Sequence, residues 1–256
     1  MALTIDLQGR LALVTGATGE LGRVIADTLA AAGADLALHT RSERASASDL
    51  SATIRARGRR AEVFTADIGE PRSIQTMRTE IAERMGEPSI VIINAIEQIH
   101  PWSTILEEAI EDYESQLRTC VIQSVALAQA FVPAMIKRGW GRMIGINSEC
   151  AIEAAACQSA YVAGKRGMDG ILRVLAREVG CHGITVNQVA PGWTITARDR
   201  ATGNERAPEY EANVPLGRRG EDFEVAQVVA FLASELASFV SGAFIPVSGG
   251  RVMPAI

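Results

Sequence analysis

Seven short apolar runs punctuate the chain: LALVTG from Leu11, DLALHT from Asp35, AEVFTAD from Ala61, SIVIINA from Ser89, RMIGINS from Arg142, ITVNQVAPG from Ile184 and AFIPVSGG from Ala243. None alternates strictly between apolar and polar residues, as expected of strands covered on both faces. Longer segments of helical period lie between them. In LGRVIADTLAAAG, for example, Leu21, Val24, Ile25 and Leu29 recur at the spacing of one helix face. This alternation predicts an α/β fold, a doubly wound parallel sheet with right-handed crossovers. No internal repeat, low-complexity tract or linker interrupts it, so a single domain over residues 1–256 is expected. The least patterned segment is ARDRATGNERAPEYEAN, 197–213, just after a strand end, where sheets of this kind bind ligands; it reads equally as a mobile lid or a surface loop.

A chain of 256 residues, 48% of them hydrophobic, can bury one sizeable core. The net charge of -5 gives no footprint for nucleic acid, and the basic run RARGRR at 55–60 closes a helical pattern, the usual place for a solvated helix end. The start MALTIDLQGR lacks a basic segment followed by an apolar one, and no uninterrupted apolar run approaches the roughly twenty residues of a membrane span. Neither secretion nor a membrane is therefore expected. Cys120, Cys150, Cys157 and Cys181 form no CxxC pair, and His39, His100 and His182 are far apart in sequence. No disulfide framework or metal site is expected, and a reducing cytoplasm is the default setting.

Candidate chemistry begins at TGATGELG, 15–22, a turn between a strand and a helix. There glycines let the backbone approach a pyrophosphate, and the free amides and helix dipole favour its charge. Thr40, Arg41 and Ser42 follow the second strand, where a carboxylate would otherwise hold the adenosine ribose hydroxyls. A guanidinium beside hydroxyls suits a 2′-phosphate instead, so NADP(H) is expected over NAD(H). Further on, Tyr161 and Lys165 are four apart, on one face of a helix, and Ser148 ends a strand thirteen positions before Tyr161. A carbonyl that accepts hydride needs a proton, and free tyrosine, with a pKa near 10, exchanges one poorly at neutral pH. An ammonium at about 4 Å favours phenolate by roughly 1 to 4 kcal/mol, or about one to three pKa units before burial takes some back. Ser148 would hydrogen-bond the carbonyl oxygen and the developing alkoxide.

Taken in order, the glycine turn, Ala66 and Asp67, the Asn94–Ala95 pair of INAI, Ser148, YVAGK, VNQVAPGWTIT and SGAFIPVSGG resemble a short-chain dehydrogenase/reductase of the compact single-domain branch, over nearly the whole chain. The resemblance implies a Rossmann fold and an NADP(H)-dependent oxidoreductase acting on a small ketone or alcohol, similar to 3-oxoacyl reductases. It makes Tyr161 the proton donor in reduction and gives Lys165 the nicotinamide ribose hydroxyls. The cofactor-binding set it implies comprises Gly16, Thr18, Gly19, Leu21, Gly22, Thr40, Arg41, Ser42, Asp67 at the adenine, Ile68, Asn94, Tyr161, Lys165, Pro191, Gly192, Thr194, and Thr196 at the carboxamide. Asp67, Asn94 and Thr196 each have an ordinary alternative as turn or cap residues, and Pro191 and Gly192 as shapers of a turn.

Two departures from the family pattern bear on function. The compact branch writes its turn TGxxxGxG, which would put glycine where Glu20 stands; the spacing here is TGxxGxxG. Glu20 is expected in the first turn of the following helix, where a carboxylate is stabilised by the dipole. Cys120 falls where an asparagine usually completes the catalytic group, and a thiol is a poor substitute for an amide. It is expected to slow proton delivery rather than abolish it; a nucleophilic role is disfavoured because no histidine lies near in sequence. These departures leave an alternative, a cofactor-binding sensor or assembly protein with weak catalysis. The helix around VALAQAFVPAMI is apolar on most faces, more than one sheet contact requires, so a dimer or tetramer is expected.

Overall fold

In the computed structural model, which describes residues 4–42, 45–97 and 101–254, all seven apolar runs form strands of one sheet. In chain order the elements are β1 (Leu11–Val14), α1 (Glu20–Ala31), β2 (Asp35–Thr40), α2 (Ala45–Ala56), β3 (Ala61–Thr65), α3 (Pro71–Arg84), β4 (Ile90–Ile93) and α4 (Ile110–Gln116). A π-helical turn, Leu117–Ile122, joins α4 to α5 (Gln123–Arg138), and β5 (Gly141–Ile146), α6 (Cys150–Glu153) and α7 (Ser159–Val179) follow. The chain continues through β6 (Ile184–Pro191), β7 (Thr194–Ile195), α8 (Ala197–Thr202), α9 (Pro208–Glu211), β8 (Gly220–Glu221), α10 (Asp222–Ala233) and β9 (Phe244–Val247).

The sheet order is β3-β2-β1-β4-β5-β6-β9, every pairing parallel. Side chains alternate between two cores. Ala12, Val14, Ile90, Ile92, Ile144 and Ile146 pack with α1 and α10 on one face. Leu11, Leu13, Val91, Ile93 and Met143 pack with α3, α5 and α7 on the other. Helices on both faces explain why the strands read as continuous apolar runs. Strand order reverses between β1 and β4, and the carboxyl ends there open into a crevice.

Helix α1 buries Ile25, Ala26, Leu29 and Ala30, with Leu21 and Val24 partly covered, as its period predicts. The basic run spends its charge on neighbours: Arg57 grips Asp27 at 2.8 Å, Arg60 grips Asp35 at 2.9 Å, and Arg55 and Arg59 donate to carbonyls. Among the described residues the helical stretch Ile110–Arg138 is long and apolar enough on average to cross a membrane, although polar residues interrupt it throughout. More than half of its apolar window is buried in the protein, against α3 and α7, so it is a core helix.

Helix α7 approaches β5 closely because residue 145 is glycine. A Cβ there would lie 2.5 Å from Leu172 Cδ1 and 2.7 Å from Met168 Cε, both buried. Gly145→Ala forces these side chains aside in a packed interior, and a loss of about 1–3 kcal/mol in urea unfolding is expected; an unchanged midpoint would show that α7 is free to shift.

Candidate active site

Residues from the ends of six strands, β1 to β6, and from the loops that follow them line one groove of about 1090 Å³. Of the residues singled out from sequence, Gly16, Thr18, Gly19, Leu21, Thr40, Arg41, Asp67, Ile68, Asn94, Ser148, Tyr161, Lys165, Pro191, Gly192, Thr194 and Thr196 line it. Gly22 and Ser42 do not. Gly22 acts beneath the surface, since a Cβ there would sit 2.1 Å from the Gly16 carbonyl oxygen, a contact only glycine avoids. Ser42 accepts at its carbonyl a hydrogen bond from Thr40 Oγ1, 3.1 Å.

The glycine turn is held from three strands. Thr15 Oγ1 accepts the amides of Asn94 and Ala95, and Asn94 Nδ2 donates to the carbonyls of Thr15 and Gly16. The Gly16 amide donates to His39 Nδ1 at 3.0 Å, which leaves Nε2–H to donate to the Ala66 carbonyl at 3.0 Å. Burial holds the His39 pKa below the ordinary histidine value, so the ring stays neutral in this role. His39 had been weighed only as a metal ligand. Helix α1 begins with Gly19 as N-cap and has no side-chain cap, so its first-turn amides remain for a ligand. An uncapped helix end behind a glycine turn fits a dinucleotide pyrophosphate. Glu20 occupies the first helical position at the groove rim, where its carboxylate accepts from Arg23 Nη2 (2.6 Å) and from the Arg198 amide (3.3 Å).

Ser148, Tyr161 and Lys165 converge at the carboxyl end of β5. The Ser148 hydroxyl accepts the Cys150 amide at 3.2 Å and stands near enough to the Tyr161 phenol to favour its ionised form. Lys165 Nζ donates to the Ile146 carbonyl at 2.6 Å and lies 5.7 Å from the centre of the Tyr161 ring. Asn147, which sequence reading passed over, fixes the helix to the strand: its Nδ2 donates to the Lys165 carbonyl (3.0 Å) and to Gln188 Oε1 (2.7 Å). The electrostatics correct one expectation. Burial pushes the Tyr161 pKa up, not down, although Ser148 partly opposes it. Burial likewise pushes Lys165 below the usual lysine value. Desolvation is the largest influence on both groups.

Cys120 lies in the π-helical turn, buried, with its Sγ 4.0 Å from Gln116 Oε1. Burial raises its pKa despite the opposing effect of Lys165, which keeps it a thiol. Asp67 caps its own turn by accepting the Gly69 amide, and Thr196 is the N-cap of α8 in a capping box with Asp199. Trp102 stands edge-on to Tyr161, ring centres 5.7 Å apart. His100 lies outside the described residues.

The 197–213 segment contains α8 and α9 and is tied down. Tyr210 donates to Glu149 Oε1 at 2.8 Å and accepts the Trp193 amide at 2.8 Å, joining α9 to the residue after Ser148. Burial raises the Glu149 pKa, the Tyr210 hydrogen bond opposing. Arg219, 1% exposed, donates to the carbonyls of Trp193, Thr194, Asn204 and Glu205 and to Asp199 Oδ2 at 3.1 Å. The two-residue ladder β7–β8 lies beside it.

A family model described as enoyl-(acyl carrier protein) reductase matches residues 16–251. The 3-oxoacyl-[acyl-carrier-protein] reductases of Pseudomonas aeruginosa and Escherichia coli are each 35% identical over 249 residues, 97% of this chain and all of theirs. The chain belongs to the short-chain dehydrogenase/reductase family. Among solved structures, a blue fluorescent protein from a metagenomic library in complex with NADPH superposes with a TM-score of 0.89 at 33% identity, covering 97% of this chain and 100% of that one. A gluconate 5-dehydrogenase from Burkholderia cenocepacia in complex with NADP and tartrate gives 0.89 at 28% identity, with 96% of each chain covered. Both share the doubly wound single-domain architecture of this short-chain dehydrogenase/reductase.

Replacing Arg219 by methionine removes the side-chain donor from four carbonyls and leaves Asp199 with Thr196 alone, a local cost of about 2–3 kcal/mol. Tryptic cleavage at Arg198, Arg200 and Arg206 is expected to accelerate more than about tenfold. Unaltered cleavage would show that the segment holds without Arg219.

Proposed function

We propose that this protein transfers hydride between NADP(H) and the carbon of a small ketone or secondary alcohol, with Tyr161 as proton donor, in the direction of reduction. The observation that carries the proposal is the convergence of Ser148, Tyr161 and Lys165 in the same groove as the uncapped start of α1. The relatives are 3-oxoacyl-[acyl-carrier-protein] reductases, and the solved neighbours hold NADPH or NADP. Both facts support an NADP(H)-dependent oxidoreductase. Gly16, Gly19 and the first-turn amides of α1 would hold the pyrophosphate, Arg41 with Thr40, Ser42 and Thr18 the 2′-phosphate, Asp67 and Ile68 the adenine. Asn94, Pro191, Gly192, Thr194 and Thr196 would border the nicotinamide half, and Lys165 its ribose.

Bound NADPH supplies the hydride. As charge grows on the substrate oxygen, the Ser148 hydroxyl donates to it and Tyr161 transfers its proton. The raised pKa of Tyr161 suits this direction: the phenol is protonated across the neutral range, and an alkoxide binds a proton more tightly than any phenolate. Acting as a base for oxidation, the same phenol would first have to ionise where water is largely excluded, at a cost. Lys165, held by the Ile146 carbonyl, offsets the phenolate that remains. Cys120 donates too weakly to carry the next proton efficiently.

The proposal extends to a homo-oligomer, a dimer or tetramer, in a cytoplasmic setting. Much of the VALAQAFVPAMI helix is buried within the chain, but Ile110, Leu117 and Ile122 remain 69%, 46% and 43% exposed along the same helical stretch. Concentration-dependent sedimentation is expected to show association.

Tyr161→Phe is expected to lower ketone-dependent NADPH consumption by about 10²–10⁴-fold with NADPH binding retained; consumption that survives removes this mechanism. In the unmodified enzyme, kcat/KM for reduction is expected to fall with rising pH on a limb centred below the ordinary lysine pKa of about 10.4, as Lys165 loses its proton before Tyr161 does.

A further inference from the structure

Two ion pairs cross the groove at the end where β2 and β3 face β4 and the α4 helix. Arg41, just after β2, places Nη1 3.4 Å from Glu97 Oε1, and Arg118 in the π-helical turn places Nη1 3.2 Å from Glu70 Oε1. All four side chains line the groove. The partners of the first pair are unequally fixed. Glu97 Oε2 accepts from Ser115 Oγ at 3.2 Å, its carbonyl accepts from Gln116 Nε2 at 2.5 Å, and its amide donates to Thr119 Oγ1 at 3.5 Å. Arg41 has a 66% exposed side chain and rests on Glu97.

We infer that Glu97 is a specificity-determining residue: its carboxylate competes with the cofactor's 2′-phosphate for the Arg41 guanidinium and so sets the preference between NADPH and NADH. The inference rests on the reading that Arg41 receives that phosphate. A guanidinium offers a planar fork that one anion fills bidentately. A phosphate reaching Arg41 must draw it away from Glu97 or leave a carboxylate beside a dianion. Because Glu97 is anchored through Ser115 and its own backbone, Arg41 is the partner that moves. NADH carries no 2′-phosphate and does not enter this contest. Glu97 therefore lowers the advantage of NADPH without touching the reacting groups. Sequence alone gave no sign of it, since Glu97 is 56 residues from Arg41.

The test is the dissociation constant of NADPH and of NADH, by fluorescence titration, for the full chain, for Glu97→Gln and for Arg41→Ala. Glutamine keeps the length of the side chain and a carbonyl for Ser115 while removing the charge. Glu97→Gln is expected to tighten NADPH about two- to fivefold, the range set by a mostly exposed pair, and to leave NADH nearly unchanged. The gain should shrink as salt is raised. NADPH binding that is unchanged or weaker in Glu97→Gln, or a gain shared equally by NADH, overturns the inference. The underlying reading fails separately: it falls if Arg41→Ala leaves the NADPH-to-NADH ratio where it was. A ratio that drops in Arg41→Ala while Glu97→Gln is silent removes the role of Glu97 alone.

Discussion

The structure depends on a buried amine and a half-buried phenol placed side by side at one strand end. Lys165 Nζ has the Ile146 carbonyl, at 2.6 Å, and Tyr161 has Ser148. Loss of water around each penalises its charged form, so the phenol holds its proton more tightly and the amine less tightly than in water. Such a site costs stability and persists only where the surroundings fix it. Asn147 and Gly145 do so from the strand, one by hydrogen-bonding the backbone of Lys165, the other by letting α7 come close.

The rest of the groove follows from where a doubly wound sheet reverses direction. Strand ends β1, β2 and β4 meet there, and Thr15, His39 and Asn94 knit them into one frame for the glycine turn. That frame leaves the first amides of α1 unspent. On the other side, Arg219 and Tyr210 bind the 197–213 segment to the turn after β6, so both walls are built on fixed elements. Glu20 touches both walls, from α1 to the Arg198 amide, which gives the unusual acid in the glycine turn a structural task.

Much of this was legible in the chain. Strands covered on both faces leave apolar runs, and all seven stand where those runs are. The spacing of Ser148, Tyr161 and Lys165 placed them together, because a strand end and the next helix allow little else. What sequence could not carry is burial. Arg218 and Arg219 are adjacent and chemically identical, yet the first pairs with Glu224 at the surface and the second is the buried post of a loop. The same gap reversed the expected shift of Tyr161: a lysine four residues away is visible in a sequence, the desolvation of both groups is not. Two-residue strands, the π-helical turn and short polar helices such as α8 leave no periodic signal to read.

The central claim is that Tyr161 works as a phenol, kept protonated by burial until the substrate oxygen takes its proton. With three tyrosines in the chain, carbon-13 labelling at the ring ζ position and a pH titration followed by NMR reads it directly, the Tyr161 signal being assigned by its loss in the phenylalanine variant. The account predicts that this signal holds the neutral-phenol position through about pH 10, where an ordinary tyrosine is half ionised. A shift to phenolate near neutral pH in the free protein would contradict it.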